Sequence, residues 1–282
     1  MNILSLLIEL IPNNLLLHVR STPLYNVLQE SSKLETSSLF GKNMSFNENF
    51  PPFGEIKFPY HEMGAVNSLN LFELDELIIF SFYWQNRNIY RNILDVGANI
   101  GLHSLLLAKS GYNVRCFEPD PEHFAILSEM LNNNNCVVEK HNAALSTKDD
   151  IAEFVRVKGN TTSSHLAGVK SNPYGELERF DVPIKNATPH FEWADLVKLD
   201  VEGHEADIIC SIEKPVLQNT DIILEVGTYN NAEKIYEYLQ SLSGINLFSQ
   251  KTAWAKILSV EGMPVSYKEG SLFISAKEKM PW

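Results

Sequence analysis

The chain has 282 residues, of which 44% are hydrophobic and 21% are charged. This composition is typical of a globular protein with a full core, and the length suits one large α/β domain with an added segment. The formal net charge is −12, and the 23 Lys and Arg residues are scattered along the chain. That balance argues against nucleic acid as the main substrate, because phosphate binding requires a basic face.

Cysteine usage and the N-terminal segment indicate the compartment. Cys116, Cys136 and Cys210 are an odd number without a CxxC pair, which predicts free thiols in a reducing cytoplasm. The apolar N-terminus has no basic start, contains Glu9 and is interrupted by Pro12, so it lacks the pattern of a signal peptide. Its apolar stretch is also too short to cross a bilayer. We therefore expect a cytoplasmic protein with no membrane span.

The N-terminal segment is expected to form a helix with one apolar side, made of Ile3, Leu4, Leu7, Ile8 and Ile11. This side packs either on the rest of the chain or on a second copy in a homo-oligomer. Residues 29–49 are polar and predict a loop or weak helix, and residues 53–60, with Pro59, predict an edge strand or short hairpin. We assign residues 1–69 to an N-terminal extension and residues 70–282 to the main domain.

The main domain begins with a predicted helix over residues 70–84 and continues as alternating β-rich and helical runs, the pattern of βαβ units. The predicted strands are residues 93–96, 113–117, 137–145, 151–157, 196–201 and 221–226. The predicted helices between them are residues 102–109, 122–131, 204–212 and 232–242. Residues 253–260 and 271–276 predict an antiparallel C-terminal hairpin. The long polar connection 159–172 predicts an insertion beside the active site.

The first strand of this pattern leads into the sequence DVGANIG, a glycine turn between a strand and a helix. Gly97 and Gly101 let the backbone turn and let a ligand approach closely. The GxxxG spacing differs from the GxGxxG expected for a pyrophosphate. Asp95 lies two residues before the first glycine, where a carboxylate suits the cationic amino-acid end of S-adenosylmethionine.

The next two strands also end in residues that suit this cofactor. Glu118 follows Gly97 by 21 residues, and a strand-end carboxylate at this distance accepts both ribose hydroxyls. The third strand ends with Asn142, Ala143 and Ala144, and the small side chains leave room for a flat adenine ring. Three strand ends of fitting residue type are a stronger signal than one glycine motif.

These motifs together resemble the FkbM family of methyltransferases: DVGANIG, FEPDP, NAAL, TTSSHL, KLDVEGHE and IILEV, between about residues 70 and 230. The resemblance implies S-adenosylmethionine as cofactor. It also implies a Rossmann-like class I methyltransferase fold, with a mostly parallel seven-stranded sheet, an antiparallel C-terminal hairpin and, in this chain, an N-terminal helical extension. The cofactor-binding residues expected from the motifs are Asp95, Gly97, Ala98, Asn99, Gly101, His103, Glu118, Pro119, Asn142, Ala143 and Asp200.

Two carboxylates close the fourth and fifth strands of the pattern, Asp200 and Glu225. In such a sheet both point into the crevice where the methyl group meets its acceptor. One hypothesis is that they bind Mg²⁺ or Mn²⁺, an arrangement similar to that of catechol O-methyltransferase. The alternative is that Asp200 positions the cofactor, while Glu225 caps a turn or binds a substrate hydroxyl.

Without a metal, the acceptor proton needs a general base, for which His204 and Glu202 are the candidates. Lys198 shares the strand face of Asp200 and either pairs with a carboxylate in the crevice or extends to the surface. His103 either reaches the cofactor carboxylate from the first turn of its helix or is bonded locally. The slight preference is for the metal-free route.

The family resemblance implies a sugar hydroxyl as the acceptor, on a nucleotide-linked sugar or a surface-polysaccharide precursor, and the acidic balance of the chain also favours a sugar. The hydroxyl-rich residues 160–165 suit a polyhydroxylated substrate, and four cations are candidates for binding a diphosphate: Arg156, Lys158, Lys170 and Arg179. One alternative is a methyltransferase that acts on a small natural product. Others are a nicotinamide-dependent oxidoreductase, which the GxxxG spacing disfavours, and a cofactor-binding protein without activity.

Overall fold

The computed structural model describes residues 3–40, 48–170 and 175–282. Within these residues the chain forms nine α-helices: α1 Ile3–Leu10, α2 Pro23–Leu39, α3 Leu74–Gln85, α4 Leu102–Lys109, α5 Pro121–Asn133, α6 Thr188–Trp193, α7 Glu205–Ser211, α8 Lys214–Leu217 and α9 Tyr229–Ser241. None of the helices in this part of the chain is both long enough and apolar enough to cross a membrane.

The strands of the described residues are, in chain order, β1 Glu48–Asn49, β2 Glu55–Ile56, β3 Glu62–Met63, β4 Val66–Asn67, β5 Asn92–Val96, β6 Asn113–Phe117, β7 Glu139–His141, β8 Ala144–Ser146, β9 Asp150–Val157, β10 His165–Leu166, β11 Leu177–Asn186, β12 Leu196–Leu199, β13 Asp221–Glu225, β14 Asn246–Ser249, β15 Ala255–Lys256 and β16 Ser271–Ser275. They form one large sheet, a four-stranded sheet and two small pairs.

The large sheet has the strand order β15-β14-β16-β13-β12-β5-β6-β7. Neighbours from β13 to β7 are parallel, whereas β16 is antiparallel to both β13 and β14. The antiparallel hairpin β14–β16 thus completes a mostly parallel seven-stranded sheet, to which β15 adds two residues at the edge. This topology confirms the predicted Rossmann-like class I methyltransferase fold.

Alternation along the central strands produces two hydrophobic layers, one on each face of the sheet. Ile93 and Leu196 belong to the cluster that contains the N-terminal helices, whereas their neighbours Leu94 and Val197 belong to the cluster under α7 and α9. Successive side chains of a strand point to opposite faces, so a strand covered on both sides is apolar throughout. All four residues of β12 are buried for this reason.

The prediction of one strand over residues 137–145 is wrong. Asn142 interrupts this segment, so that β7 joins the large sheet and β8 joins the four-stranded sheet. The Asn142 side-chain amide donates to Glu118 O at 2.9 Å and to Pro119 O at 3.1 Å, which holds the chain in a turn. Val137, expected to be in the strand, is 94% exposed.

The four-stranded sheet, with the order β10-β9-β11-β8, contains a ten-residue strand that the sequence did not predict. In β11 only Val182 and Ile184 are buried, and four of its other eight positions carry charged residues. The strand is antiparallel to β9 and parallel to β8. The predicted polar connection 159–172 contains β10, and its residues 171 and 172 lie outside the described part of the chain.

The predicted strand over residues 253–260 is also placed differently. The strand that forms the C-terminal hairpin with β16 is β14. Only the two residues of β15 fall within the predicted range 253–260. Ala253 and Trp254 have φ angles of 53° and 60°, so the chain turns where the prediction had a strand. All four residues of β14 are buried, as expected of an inner position.

The N-terminal helix packs on its own chain. Four of the five apolar residues predicted on one side are buried in the core that includes α3, namely Leu4, Leu7, Ile8 and Ile11. Ile3, the fifth, is 41% exposed. The second helix, α2, includes residues 29–39, which agrees with the helix alternative for the start of the polar segment 29–49. Pro23 begins this helix, and the Thr22 side chain accepts from Tyr25 N. Of the edge strand or short hairpin expected over residues 53–60, the two residues of β2 form, and they pair antiparallel with β1, which precedes that range. A homo-oligomer and the boundary at residue 69 stay predictions.

His18 joins this N-terminal part to the C-terminal part of the chain. Its Nδ1 accepts a hydrogen bond from Trp254 Nε1 at 2.7 Å, and its Nε2 lies 2.9 Å from Ile11 O. Because Nδ1 accepts from the indole N–H, it carries no proton, and the ring is neutral with its proton on Nε2. Burial lowers the pKa of His18 to about 4.

We expect protonation of His18 to reduce stability in acid. The unfolded chain takes up this proton near pH 6.5 and the folded chain near pH 4, so the contribution is complete above pH 6.5 and is lost as the pH falls toward 4. In urea unfolding, the difference in free energy between wild type and His18→Gln should shrink by about 2 kcal/mol from pH 7 to pH 5. Because both proteins contain the same other histidines, the effect of those residues cancels in the difference between wild type and His18→Gln. A constant difference over this range would contradict the assignment.

Candidate active site

A cavity of about 230 Å³ opens at the carboxyl ends of β5, β6, β12 and β13. The strand ends and the turn after β12 supply one wall, and β9, β10 and the segment between them supply the opposite one. The strand-end lining includes Gly97, Asn99, Glu118, Pro119, Ala143, Asp200, Glu202, His204 and Glu225. The opposite wall includes Phe154, Thr161, Thr162, Ser164, His165 and Leu166. The expected insertion beside the site is therefore one of its walls.

The two glycines of DVGANIG are required by the packing of the protein. Gly97 has φ 77°, and a Cβ atom there would lie 1.8 Å from the backbone oxygen of Asp200. Gly101 has φ 92°, and its Cβ atom would lie 2.8 Å from Leu127 Cγ and 2.9 Å from Met130 Cε. Side chains at these positions would first meet the backbone of Asp200, just after β12, and side chains of α5, so the two glycines have a packing role beside the expected close approach of a ligand.

Replacing Gly101 by Ala is expected to destabilise the protein by about 2–4 kcal/mol, the sum of the left-handed backbone strain and overpacking against α5. Gly111 is a matched control, since it has the same φ of 92° and no atom within 4 Å of its Cβ position. Gly111→Ala should show the backbone cost alone. Urea unfolding of both variants measures the difference, and equal losses would show that contact with α5 is unimportant.

Glu118 is held at the end of β6 by backbone donors. Asn99 N donates to its Oε2 at 2.7 Å, and Asp120 N donates to its Oε1 at 2.8 Å. Asn99 has a φ of 54°, a left-handed conformation that Asn adopts more readily than most residues. Burial raises the pKa of Glu118 to about 8. The Glu118 side chain therefore lines the cavity in a fixed orientation, and once it is ionised it has acceptor capacity for hydroxyl groups.

Asp95 lies behind the glycine turn, outside the described lining of the cavity. Its side chain is 0% exposed, and its Oδ2 accepts from Ser104 Oγ at 2.6 Å. Lys198 Nζ lies 3.8 Å from Asp95 Oδ1 and 3.3 Å from Asp200 Oδ2. Of the two alternatives for Lys198, the structure shows pairing with carboxylates.

Four further residues expected at the cofactor lie outside the described lining, namely Ala98, Gly101, His103 and Asn142. Ala98 N donates to Phe117 O at 3.0 Å, while Asn142 holds the end of β6. His103 Nε2 lies 2.9 Å from Glu76 Oε2, and its Nδ1 lies 3.0 Å from Tyr83 OH. Both ring nitrogens are thus engaged locally, as in the second alternative for His103.

The base candidates lie in the turn after β12. Glu202 has a φ of 56° and accepts from Lys170 Nζ at 2.7 Å, and burial followed by the charge of Asp200 raises its pKa. His204 Nε2 lies 2.9 Å from Ser146 Oγ, and its Nδ1 lies 3.2 Å from Asp207 Oδ2. Burial lowers the pKa of His204. The histidine is thus neutral at pH 7 and has the protonation state required of a base.

The metal hypothesis gains no further ligands from the fold. Burial, then the charge of Asp200, raises the pKa of Glu225 well above its usual range. In residues 3–40, 48–170 and 175–282, no three His, Cys, Asp or Glu side chains are grouped so as to hold a metal ion. Asp200 Oδ2 instead accepts from Lys198 Nζ.

Comparison with known proteins gives the family. Residues 95–244 match the family model described as the methyltransferase FkbM domain, and this segment is more than half of the chain. The chain belongs to the FkbM methyltransferase family. It is therefore a methyltransferase that uses S-adenosylmethionine. Family membership decides against the alternative of a nicotinamide-dependent oxidoreductase.

Several solved structures are similar to this FkbM methyltransferase over part of their length. A ribosomal protein L11 methylase from Lactobacillus delbrueckii subsp. bulgaricus is 12% identical, with 70% of this chain and 75% of that chain covered and a TM-score of 0.37. An O-methyltransferase from Bacillus cereus in complex with SAH is 12% identical, with 70% and 77% covered and a TM-score of 0.37. A putative rRNA-methylase from Clostridium thermocellum is 9% identical, with 70% and 92% covered and a TM-score of 0.38. No curated protein was found to match the chain.

One residue that shapes the site of this FkbM methyltransferase was missed in the sequence. Glu205 is 0% exposed, and its Oε1 accepts from both Val201 N and Gly203 N at 3.0 Å. These bonds hold the turn that carries Glu202 and His204. Burial raises the pKa of Glu205 to about 7. The signal was its position as the second glutamate of KLDVEGHE, three residues after Glu202.

The four cations considered for a diphosphate are all engaged with carboxylates. Arg156 is buried and makes a two-bond ion pair with Asp120, at 2.7 and 2.6 Å. The other three form ion pairs as well: Lys158 with Glu176, Arg179 with Glu153 and Lys170 with Glu202. Arg156 lies in β9 of the four-stranded sheet and is held by its ion pair with Asp120. The prediction that it binds a diphosphate is therefore wrong. Two of these four contact residues that line the cavity: Lys170 contacts Glu202, and Arg156 contacts Asp120.

Proposed function

We propose that the chain is an O-methyltransferase that acts on a hydroxyl group of a sugar, in a nucleotide-linked sugar or a surface-polysaccharide precursor. The observation that carries the proposal is that His204 and a hydroxyl-rich wall line the same cavity. Thr161, Thr162 and Ser164 of that wall are donors and acceptors suited to a polyol. A small natural product is the alternative acceptor.

The strand-end residues fit the cofactor that the family requires. When bound, S-adenosylmethionine supplies an electrophilic methyl group. Glu118 is buried, is aligned by two backbone N–H groups and is suited to accept from the two ribose hydroxyls. Pro119 and Ala143 line the same end of the cavity with apolar surface for the adenine. Asp200 lines the same cavity, and in this proposal it would lie beside the methyl group and the acceptor.

The proton of the acceptor hydroxyl leaves to His204 in this proposal. Its Nε2 already lies at hydrogen-bond distance from a hydroxyl, that of Ser146, which marks where an acceptor oxygen would be held. Asp207, close to Nδ1, stabilises the charge that develops on the ring. Glu202 is held by Lys170, so it is better suited to orient the acceptor than to take its proton.

The metal-free route is the one we favour, because Lys198 already provides a positive charge at Asp200. EDTA treatment tests it: methyl transfer should persist after exhaustive chelation. Loss of activity with EDTA and recovery with Mg²⁺ or Mn²⁺ would instead establish the route through Asp200 and Glu225.

The acceptor class is tested by a screen with isotopically labelled S-adenosylmethionine. Nucleotide sugars, lipid-linked sugars and small hydroxylated natural products form separate arms, and the labelled product is analysed by mass spectrometry. We expect transfer to a sugar hydroxyl in the first or second arm. Transfer found only on protein, nucleic acid or free fatty acid would overturn the proposal.

A further inference from the structure

A buried lysine connects the ends of two central strands at the cavity. Lys198 lies in β12 and is 9% exposed. Its ammonium group donates to Gly97 O at 3.2 Å and to Asp200 Oδ2 at 3.3 Å. Gly97 belongs to the turn after β5, whereas Asp200 follows β12. The lysine therefore joins the two backbone segments whose close approach requires a glycine at position 97.

Asp95 depends on the same ammonium group. Its Oδ2 is bonded to Ser104, but none of the described residues donates a hydrogen bond to its Oδ1, although that atom is fully buried. A buried carboxylate oxygen without a donor is costly unless a cation compensates it. Lys198 Nζ, 3.8 Å away, supplies that charge.

The surroundings of Lys198 are acidic on its other side as well. A small cavity of about 20 Å³ adjoins the main one, and its lining includes Glu76, Asp200 and Glu225 together with Lys198 and His103. Burial lowers the pKa of Lys198, but the charges of Asp200, Asp95 and Glu76 outweigh it and raise the pKa above its usual value. The lysine is thus charged throughout the working range of pH.

We propose that Lys198 is a positioning residue whose ammonium group is a permanent counter-ion, holding the Gly97 turn and the Asp95 and Asp200 carboxylates in the arrangement that binds the methyl donor. This inference rests on the proposed cofactor site. In this inference the ammonium group of Lys198 takes the place beside Asp200 that a divalent cation would occupy in the metal route.

The first test is the binding of S-adenosylhomocysteine by calorimetry. Lys198→Met keeps the aliphatic stem and removes the charge, so the dissociation constant should rise at least about tenfold, as expected for loss of a charge-assisted hydrogen bond. Lys198→Arg should recover most of the affinity. Lys185→Met, on an exposed residue of β11, is the matched control and should bind as the wild type. Unchanged affinity in Lys198→Met would overturn the inference.

The second test measures how the charge of Lys198 affects stability, and it remains informative if Lys198→Met is less stable than the wild type. In the wild type, Asp95→Asn removes a partner of the ammonium group and should lower the midpoint of thermal unfolding. In Lys198→Met, the same change removes an uncompensated buried charge and should raise it. A lowering of similar size in both backgrounds would overturn the inference. Failure of the wild type to bind S-adenosylhomocysteine would instead overturn the proposed cofactor site itself.

Discussion

Replacing Glu118 by Ala should weaken the binding of S-adenosylhomocysteine by about 1.5–3 kcal/mol, the range for hydrogen bonds to a charged group. The carboxylate is oriented by Asn99 N and Asp120 N, so its loss removes an acceptor that no other strand end replaces at this position. Calorimetry on the folded variant measures the effect. Unchanged affinity would show that Glu118 does not hold the ribose.

The pH dependence of binding tests the same carboxylate in a second way. Burial raises the pKa of Glu118 from 4.5 to about 8. Below pH 8 the free protein carries the proton, which must leave before the carboxylate accepts from two hydroxyls. Affinity should therefore rise as the pH increases from 6 to 8 and level off above it. Glu118→Gln is the matched control, and we expect this part of the pH dependence to vanish in it.

The same raised pKa affects stability with the opposite sign. The folded protein favours the protonated acid, so the contribution of Glu118 to stability is complete below pH 4.5 and is lost as the pH rises toward 8. Ligand binding and folding thus have opposing pH dependences at this residue. A buried carboxyl group that lowers the stability of the free protein when ionised, but contributes to ligand affinity, is typical of a binding site.

The central sheet could be predicted from the sequence because its signals are local. The runs that become β6 and α4 are short, apolar and bounded by turn residues, and their predicted bounds coincide with the observed ones. Strand-end residues such as Glu118 and Asp200 follow from the parallel order, since the carboxyl ends of these strands meet at one edge. The topology then brings both residues to one cavity.

The four-stranded sheet could not be predicted, because its strands are specified by pairing across the chain. In β11 the buried positions Val182 and Ile184 alternate with exposed ones over only part of the strand. Arg156 was considered a ligand for phosphate because its sequence neighbours do not reveal its ion pair with Asp120, 36 residues away. The role of Gly97 was likewise hidden, since its neighbour in space is Asp200.

The largest effect is expected for His204→Ala, which should lower kcat about 10²–10⁴-fold on the acceptor identified by the screen, the range for loss of a general base. A hydroxyl does not lose its proton near pH 7 unaided, and the neutral His204 beside Asp207 is the group whose protonation state suits this step. Affinity for S-adenosylhomocysteine should be unchanged in the variant, which separates catalysis from cofactor binding.

Two matched variants distinguish the base from its neighbours. Ser146→Ala removes the hydroxyl that now lies 2.9 Å from His204 Nε2, and it should retain activity within about tenfold, because the acceptor oxygen takes the same position. Glu202→Gln keeps the shape of the side chain bonded to Lys170 but removes its charge, so it should affect KM more than kcat. If His204→Ala were fully active while Glu202→Gln lost about 10²-fold or more in kcat, Glu202 would be the base, and Lys170 would have to release it during each turnover.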